Sequence, residues 1–139
     1  MTNQNDFNQR IIAEFHANGG TVGGPFAGAP MLLLTTTGAK SGTLRTTPLV
    51  YLPDGDRLVV IASKGGAPTH PAWYHNLVAN PDVTVEVGSE TLPVRAAVLF
   101  GEERDRLYAR QAGLRPAFAE YQAKTTRRIP VVALERRQS

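Results

Sequence analysis

The chain of 139 residues contains no cysteine, a single tryptophan and only two methionines. Lack of cysteine excludes disulfides, iron–sulfur clusters and thiolate zinc sites, and it suits a reducing cytoplasm. No apolar run approaches the ~20 residues of a membrane-spanning helix. The opening MTNQNDFNQRII has no basic stretch followed by an apolar one, so no secretory signal is expected. A GxSxG elbow and a GxxxxGK[ST] phosphate loop are both missing. So are repeats, low-complexity tracts and internal linkers. His16, His70 and His75 are the only histidines. The last two are five positions apart rather than four, with no carboxylate nearby, so no metal site is expected. Glu102, Glu103 and Asp105 read as helix-start charges rather than as paired catalytic carboxylates. With neither a nucleophile nor an acid–base set in view, an enzyme built on this chain would take its chemistry from a cofactor.

Acidic residues are also scarce locally. Between residues 31 and 80 the only acids are Asp54 and Asp56, both in a PDGD turn, against Lys40, Arg45, Arg57 and Lys64. After residue 80, ten bases mix with eight acids, an ordinary surface. The net charge of +3 therefore hides a small positive region in the first half. It is too small, and lacks the interleaved aromatics, for a nucleic-acid face.

What is present is globular. Hydrophobic residues make up 42% and charged residues 19%, in a chain long enough for one real core. Phe7, Ile11, Ile12 and Phe15 predict an amphipathic helix over 5–17, stopped at Gly19-Gly20. GGTVGGPFAGAP reads as a loop. MLLLTTTG predicts a strand, and RTTPLVYLPDGDRLVVIASK predicts two more joined at Asp54-Gly55. Pro48 suits an edge strand or bulge. A helix follows from Pro71 to Asn80-Pro81, then a hairpin over 83–100 turning at Gly88-Ser89. The last elements are a helical stretch broken near 113–116 and a strand, IPVVALER. Strands fall in adjacent groups instead of alternating with helices. The fold class is thus α+β, mainly β, with an antiparallel sheet closed into a barrel.

Three stretches carry chemistry. In GAKSGTLR, glycines 38 and 42 permit a sharp turn, and Lys40, Ser41 and Arg45 offer a point charge, a hydroxyl and a bidentate fork to one anion. The same pattern also suits an ordinary hairpin with solvated charges. ASKGGAPTHPAWYHN places Ser63, Lys64 and two glycines at a strand end, the second basic corner at what read as neighbouring strand ends. Trp73 and Tyr74 there suit core packing equally well. In AGLRPAFAEYQ, Phe118 and Tyr121 share a helix face, read either as core or as a lid offering a hydroxyl.

Taken together, LLLTTTGAKSGTLRTTPLVYLPDGDRLVVIASKGGAPTHPAWYHNLVANPDVTVEV and YQAKTTRRIPVVAL resemble the deazaflavin (coenzyme F420)-dependent nitroreductase and quinone reductase family, from about residue 31 to 135. The resemblance implies a split β-barrel, like the FMN-binding barrels, in one domain over 1–139. Its N-terminal helix and glycine-rich loop would span 1–30, and its barrel with helices 31–135. It implies coenzyme F420 as cofactor and hydride transfer to an electron-poor acceptor: a quinone, an enone or a nitroaromatic. The family's loop, commonly Gly-Arg-Lys-(Ser/Thr)-Gly-x-x-Arg, binds the acidic cofactor tail. Lys40, Ser41, Gly42 and Arg45 match it, and Ala39 stands where an arginine is common. Thr46, Thr47 and Pro48 continue the match beside the cofactor. Ile61, Ala62, Ser63 and Lys64 match the strand end beside the ring, and Ala72, Trp73 and Asn76 the flanking helix. Arg115 and Phe118 stand where relatives with nitroreductase activity carry tyrosines, while Tyr121 remains. Ser63 and Tyr121 are the catalytic candidates, orienting the acceptor oxygen or supplying a proton.

The alternative is a split-barrel protein that binds F420, FMN or a lipid without turnover of its own. The expected location is cytoplasmic, with peripheral contact to the inner face of the membrane through the first helix as a second option. Arg10 is that helix's only basic residue, which favours packing on the barrel over adsorption to lipid.

Overall fold

A computed structural model describes residues 4–23 and 28–137. The middle of the expected glycine-rich loop, 24–27, lies outside them. Helix α1 is Gln4–Ala17, followed by strands β1 Met31–Thr37, β2 Leu44–Val50, β3 Leu52–Asp54 and β4 Arg57–Ile61. A 3₁₀ turn, Lys64–Gly66, leads to α2 Ala72–Ala79, then to β5 Asp82–Val87 and β6 Glu90–Leu99. Helices α3 Gly101–Leu114 and α4 Ala117–Ala123 precede the final strand, β7 Val131–Arg136.

The seven strands form one sheet in the order β2-β1-β5-β6-β7-β4-β3, with every neighbouring pair antiparallel. β2 and β3 are its outermost strands, yet only Tyr51 separates them in the chain. The sheet must therefore curl until its two edges meet there, which makes a half-barrel. The sequence reading ran 45–54 as one strand. The structure breaks it at Tyr51, whose N–H still donates to the Pro30 carbonyl at 3.0 Å in the β1–β2 register, before Leu52 passes to β4. No glycine, proline or asparagine marks that break, so local turn chemistry does not reveal it. Pro48 sits on the edge strand β2 opposite Leu33, where its missing N–H costs no ladder bond.

The interior is filled from almost every strand. Leu32 and Leu34 of β1, Val60 of β4, Val83 and Val85 of β5, Val94 of β6 and Val132 and Leu134 of β7 are buried together, with Trp73 and Leu77 of α2 at one end. The alternate β1 residues, Met31 and Leu33, face the other way and bury Ile11, Phe15 and Val22. This explains why the β1 run reads apolar without alternation. Helix α1 is thus packed on the barrel, and His16 Nε2 stands 2.9 Å from Glu86 Oε1 of β5. Among the described residues no helix is long and apolar enough to cross a membrane.

Glu103 and Asp105 are ion-pair partners as well as helix-start charges. Arg57 joins Glu103 at 3.0 Å and Asp54 at 2.6 Å, while Asp105 pairs with Arg104 and Arg128. These contacts anchor α3 to the β3–β4 turn and to the approach to β7.

β1 and β4 are not neighbours, as the sequence reading had placed them: β5, β6 and β7 lie between. The antiparallel ladder nevertheless makes them run in the same direction. The loops that leave them, 38–43 and 62–67, therefore emerge at the same end of the half-barrel.

Candidate functional site

The first corner is the 38–43 loop. Gly38 N–H donates to Thr43 O at 2.7 Å, and Gly42 N–H to Gly38 O at 2.9 Å. Gly42 holds φ +73°, a conformation that glycine adopts freely. Ser41 Oγ bonds Thr43 Oγ1 at 2.8 Å and accepts from Thr43 N–H at 3.2 Å, so this hydroxyl is engaged in shaping the loop. Asn76, buried on α2, fixes the loop from behind. Its Oδ1 accepts from Ala39 N–H at 3.0 Å, and its Nδ2 donates to Thr36 Oγ1 at 3.2 Å. Lys40 and Arg45 are exposed. Among the described residues neither has an ion-pair partner.

Strand alternation divides the predicted run 45–48. Arg45, Thr47 and Leu49 pair with Thr36, Leu34 and Leu32, and so share the face of the interior and of α2. Thr46 and Pro48 pair with Thr35 and Leu33, on the face toward α1. Thr46 Oγ1 is bonded to Thr35 Oγ1 at 2.8 Å. The structure brings Arg45 and Thr47 to the same side as Asn76 and sends Thr46 and Pro48 away from it.

The second corner is the turn after β4. Ile61 packs toward α4 among Leu107, Phe118 and Tyr121, while Ala62 is buried inside the barrel with Trp73. Trp73 thus serves as core. Ala72 is exposed on the same helical stripe as Asn76. Lys64, Gly65 and Gly66 hold φ of +47°, +63° and +84°. The left-handed region is unfavourable for lysine, at ~1–3 kcal/mol. Ser63, just before, is right-handed, with φ −75° and ψ −39°. A right-handed residue followed by a left-handed one turns successive amides toward one concavity, an arrangement suited to anions. Gly66 is buried beneath α4, and a Cβ there would stand 2.8 Å from the Tyr121 carbonyl oxygen. Helix α4 and the turn are therefore in direct contact. Tyr121 is half-buried against Phe118, ring centroids 5.2 Å apart. The hydroxyls of Ser63 and Tyr121 have no hydrogen-bond partner among the described residues. Lys64 Nζ lies 3.3 Å from Thr69 Oγ1 and faces no carboxylate there.

Arg127 completes this corner, and sequence reasoning missed it. Its Nε donates to Ala67 O at 2.8 Å, its Nη2 to Ser63 O at 2.9 Å and its Nη1 to Ala62 O at 3.2 Å. Nη1 also lies 2.9 Å from His70 Nδ1. A hydrogen bond to a charged group contributes about 1.5–3 kcal/mol, so one such bond matches the cost of the strained lysine. Burial without a carboxylate lowers the Arg127 pKa, and Tyr108 offsets this in part. His70 is held below 6.5 by burial first, then by Arg127 and His75. Protonation would end its role as acceptor.

The corners form a cation-rich, donor-rich end at which, among the described residues, Lys40, Arg45 and Lys64 have no ion-pair partner. A groove of about 780 Å³ at the other end of the half-barrel, between residues 54–58 and 135–137, touches none of these residues. Among the described residues no group of three or more His, Asp or Glu is placed to hold a metal ion.

Comparison with known proteins decides the family. The model of the F420H(2)-dependent quinone reductase family matches residues 8–136. The chain belongs to the F420H(2)-dependent quinone reductase family. It is similar to an F420H(2)-dependent quinone reductase of Mycobacterium tuberculosis (strain ATCC 25618 / H37Rv), at 44% identity over 90% of this chain and 87% of the relative. Among solved structures, an F420-H2 dependent reductase (FDR-A) is 47% identical with a TM-score of 0.70, over 76% of this chain and 94% of its own. The heme storage protein HutZ of Vibrio cholerae, at 14% identity and a TM-score of 0.62, covers 95% of this chain and 92% of its own and shares the fold alone. The half-barrel of this quinone reductase family member is the split barrel that its sequence led one to expect.

Proposed function

We propose that this chain is an F420-dependent oxidoreductase that passes a hydride from reduced coenzyme F420 to a quinone. The observation that carries the reading is the set of cations without carboxylates, Lys40, Arg45 and Lys64, at the end where the 62–67 turn presents its amides. That donor set fits an acidic cofactor. Lys40 and Arg45 would hold its negatively charged tail, one as a point charge and one as a fork. The turn at Ser63 to Gly65 would hold the ring end. When bound, the reduced deazaflavin supplies the hydride.

The chain's own residues do the rest. Asn76 fixes the Lys40 loop from behind, and α4 closes on the turn through Gly66. Ser63 and Tyr121 bring two uncommitted hydroxyls to that corner, able to orient an acceptor oxygen, with Tyr121 holding a proton for it. Such positioning is what a reaction with cofactor-borne chemistry asks of a protein. Phe118 and Arg115, in place of tyrosines, leave one phenol beside the turn, which favours quinones over nitroaromatics. The chain would work as one domain over 1–139.

The test is steady-state oxidation of reduced F420 by purified protein with a panel of quinones, enones and nitroaromatics. The reading expects quinone-dependent turnover that exceeds nitroaromatic turnover. Cofactor binding with no turnover on any acceptor would leave a carrier and contradict it.

A further inference from the structure

We infer that Arg127 is the positioning residue of the cofactor corner: its guanidinium turns the carbonyls of Ala62 and Ser63 inward and thereby sets the Lys64 amide outward, toward the ligand. The inference rests on the reading that this corner holds F420.

The argument starts with donors. A guanidinium has five N–H groups in a rigid fork. Four are used here, on Ala62 O, Ser63 O, Ala67 O and His70 Nδ1. No carboxylate competes for them among the described residues. The three carbonyls belong to the turn that carries Ser63 and Lys64, so the fork grips the turn at both its ends.

Peptide geometry carries the effect outward. In a trans peptide the C=O and the next N–H point in opposite directions. Drawing Ala62 O and Ser63 O toward Arg127 therefore turns the amides of Ser63 and Lys64 away from it. The Ser63 amide closes on Ile61 O at 2.9 Å. The Lys64 amide has no partner among the described residues and is left to the outer side. Within the turn itself only Gly66 N–H to Ser63 O, at 2.9 Å, and Ala67 N–H to Lys64 O, at 3.1 Å, oppose relaxation of the left-handed run. Gly66 also lies close against α4, where a Cβ would stand 2.8 Å from the Tyr121 carbonyl oxygen. Arg127 is thus the main polar restraint on the inner side.

The residue also explains a local oddity. A half-buried arginine without an acid adds positive charge behind a turn that would meet an anionic ligand. A lysine would keep that charge but not the fork, since one ammonium cannot address carbonyls of residues 62, 63 and 67 in the same way.

The test compares wild type with Arg127→Lys and Arg127→Ala. It measures F420 dissociation constants by fluorescence titration, and hydrogen exchange at Gly66 and Ala67 in ligand-free protein. Arg127→Ala is expected to weaken F420 binding about tenfold or more, a 1.4 kcal/mol effect, and Arg127→Lys to weaken it less. Exchange at both amides should quicken in each variant. Methylguanidinium should restore much of the affinity of Arg127→Ala, whereas methylammonium should not, a response that general loss of structure would not give. If Arg127→Ala fails to fold, Arg127→Lys carries the test. Folded variants that bind F420 as wild type does would overturn the inference alone. Failure of wild type to bind F420 would overturn the functional reading, and the inference with it.

Discussion

Lys40 and Arg45 are exposed and have no acid to pair with among the described residues, which gives their substitution a readable outcome. Neither holds the fold together, so Lys40→Ala or Arg45→Ala should leave stability nearly unchanged. Each should raise the F420 dissociation constant about tenfold or more, from the loss of ~1.5–3 kcal/mol per charged hydrogen bond. Ala39 contributes its backbone N–H to Asn76 and exposes its side chain. Ala39→Arg should therefore be tolerated and should tighten binding by adding a cation. Isothermal titration of the three variants checks all of this, and unchanged affinity in both alanine variants would return the loop to a plain hairpin. Lys40 and Arg45 are legible in the sequence because they stand five positions apart in one glycine-rich stretch. Arg127 is not, because its partners Ala62, Ser63, Ala67 and His70 lie 57 to 65 positions away. Nothing in TTRRIP distinguishes it from Arg128, which goes to Asp105 instead.

At the scale of elements, the turn 62–67 and the start of α2 are coupled through His70. This imidazole faces Arg127 from the approach to β7, and Tyr74 and His75 from α2, with ring centroids 4.7 and 5.7 Å away. Arg104 and Arg128 line the cavity of about 180 Å³ beside it. The charged neighbours of His70 among the described residues are basic, and burial, then Arg127 and His75, lower its pKa. Its folded pKa is below 6.5, so on acidification the unfolded chain takes the proton first. The stability that His70 contributes is therefore full above pH 6.5 and is lost as pH falls through the lower folded value. Denaturant midpoints measured from neutral pH downward should fall in that window, and His70→Gln, which keeps an acceptor for Arg127 but cannot protonate, should flatten the fall. An equal fall in the variant would assign the effect to other groups. The elements themselves were largely legible, since Gly-Ser, Asp-Gly and Asn-Pro punctuate most of them. The division of β2 and β3 was not, because Val50-Tyr51-Leu52 reads as uninterrupted strand. The division of 45–48 between two faces follows from pairing with β1, and a local match to a motif does not contain it.

For the whole molecule, the order of strands was beyond the sequence reading, and it is what makes a site. Two basic corners separated by three strands become one end of a half-barrel only because the ladder runs antiparallel throughout and the sheet curls until β2 meets β3. Residues such as Trp73 and Asn76, read as flanking a cofactor, prove to be the interior plug and the loop fastener at that same end. Local pattern identified the class of fold, and the long-range pairing decided which side chains meet. The central claim is that this end is built for a long acidic deazaflavin and not for a compact flavin phosphate. Titrating the purified protein with F420 and, separately, with FMN, while following the emission of Trp73, the only tryptophan, tests that claim most directly. The account predicts saturable binding of F420 that is tighter than that of FMN. Tighter binding of FMN, or no binding of F420, would contradict it.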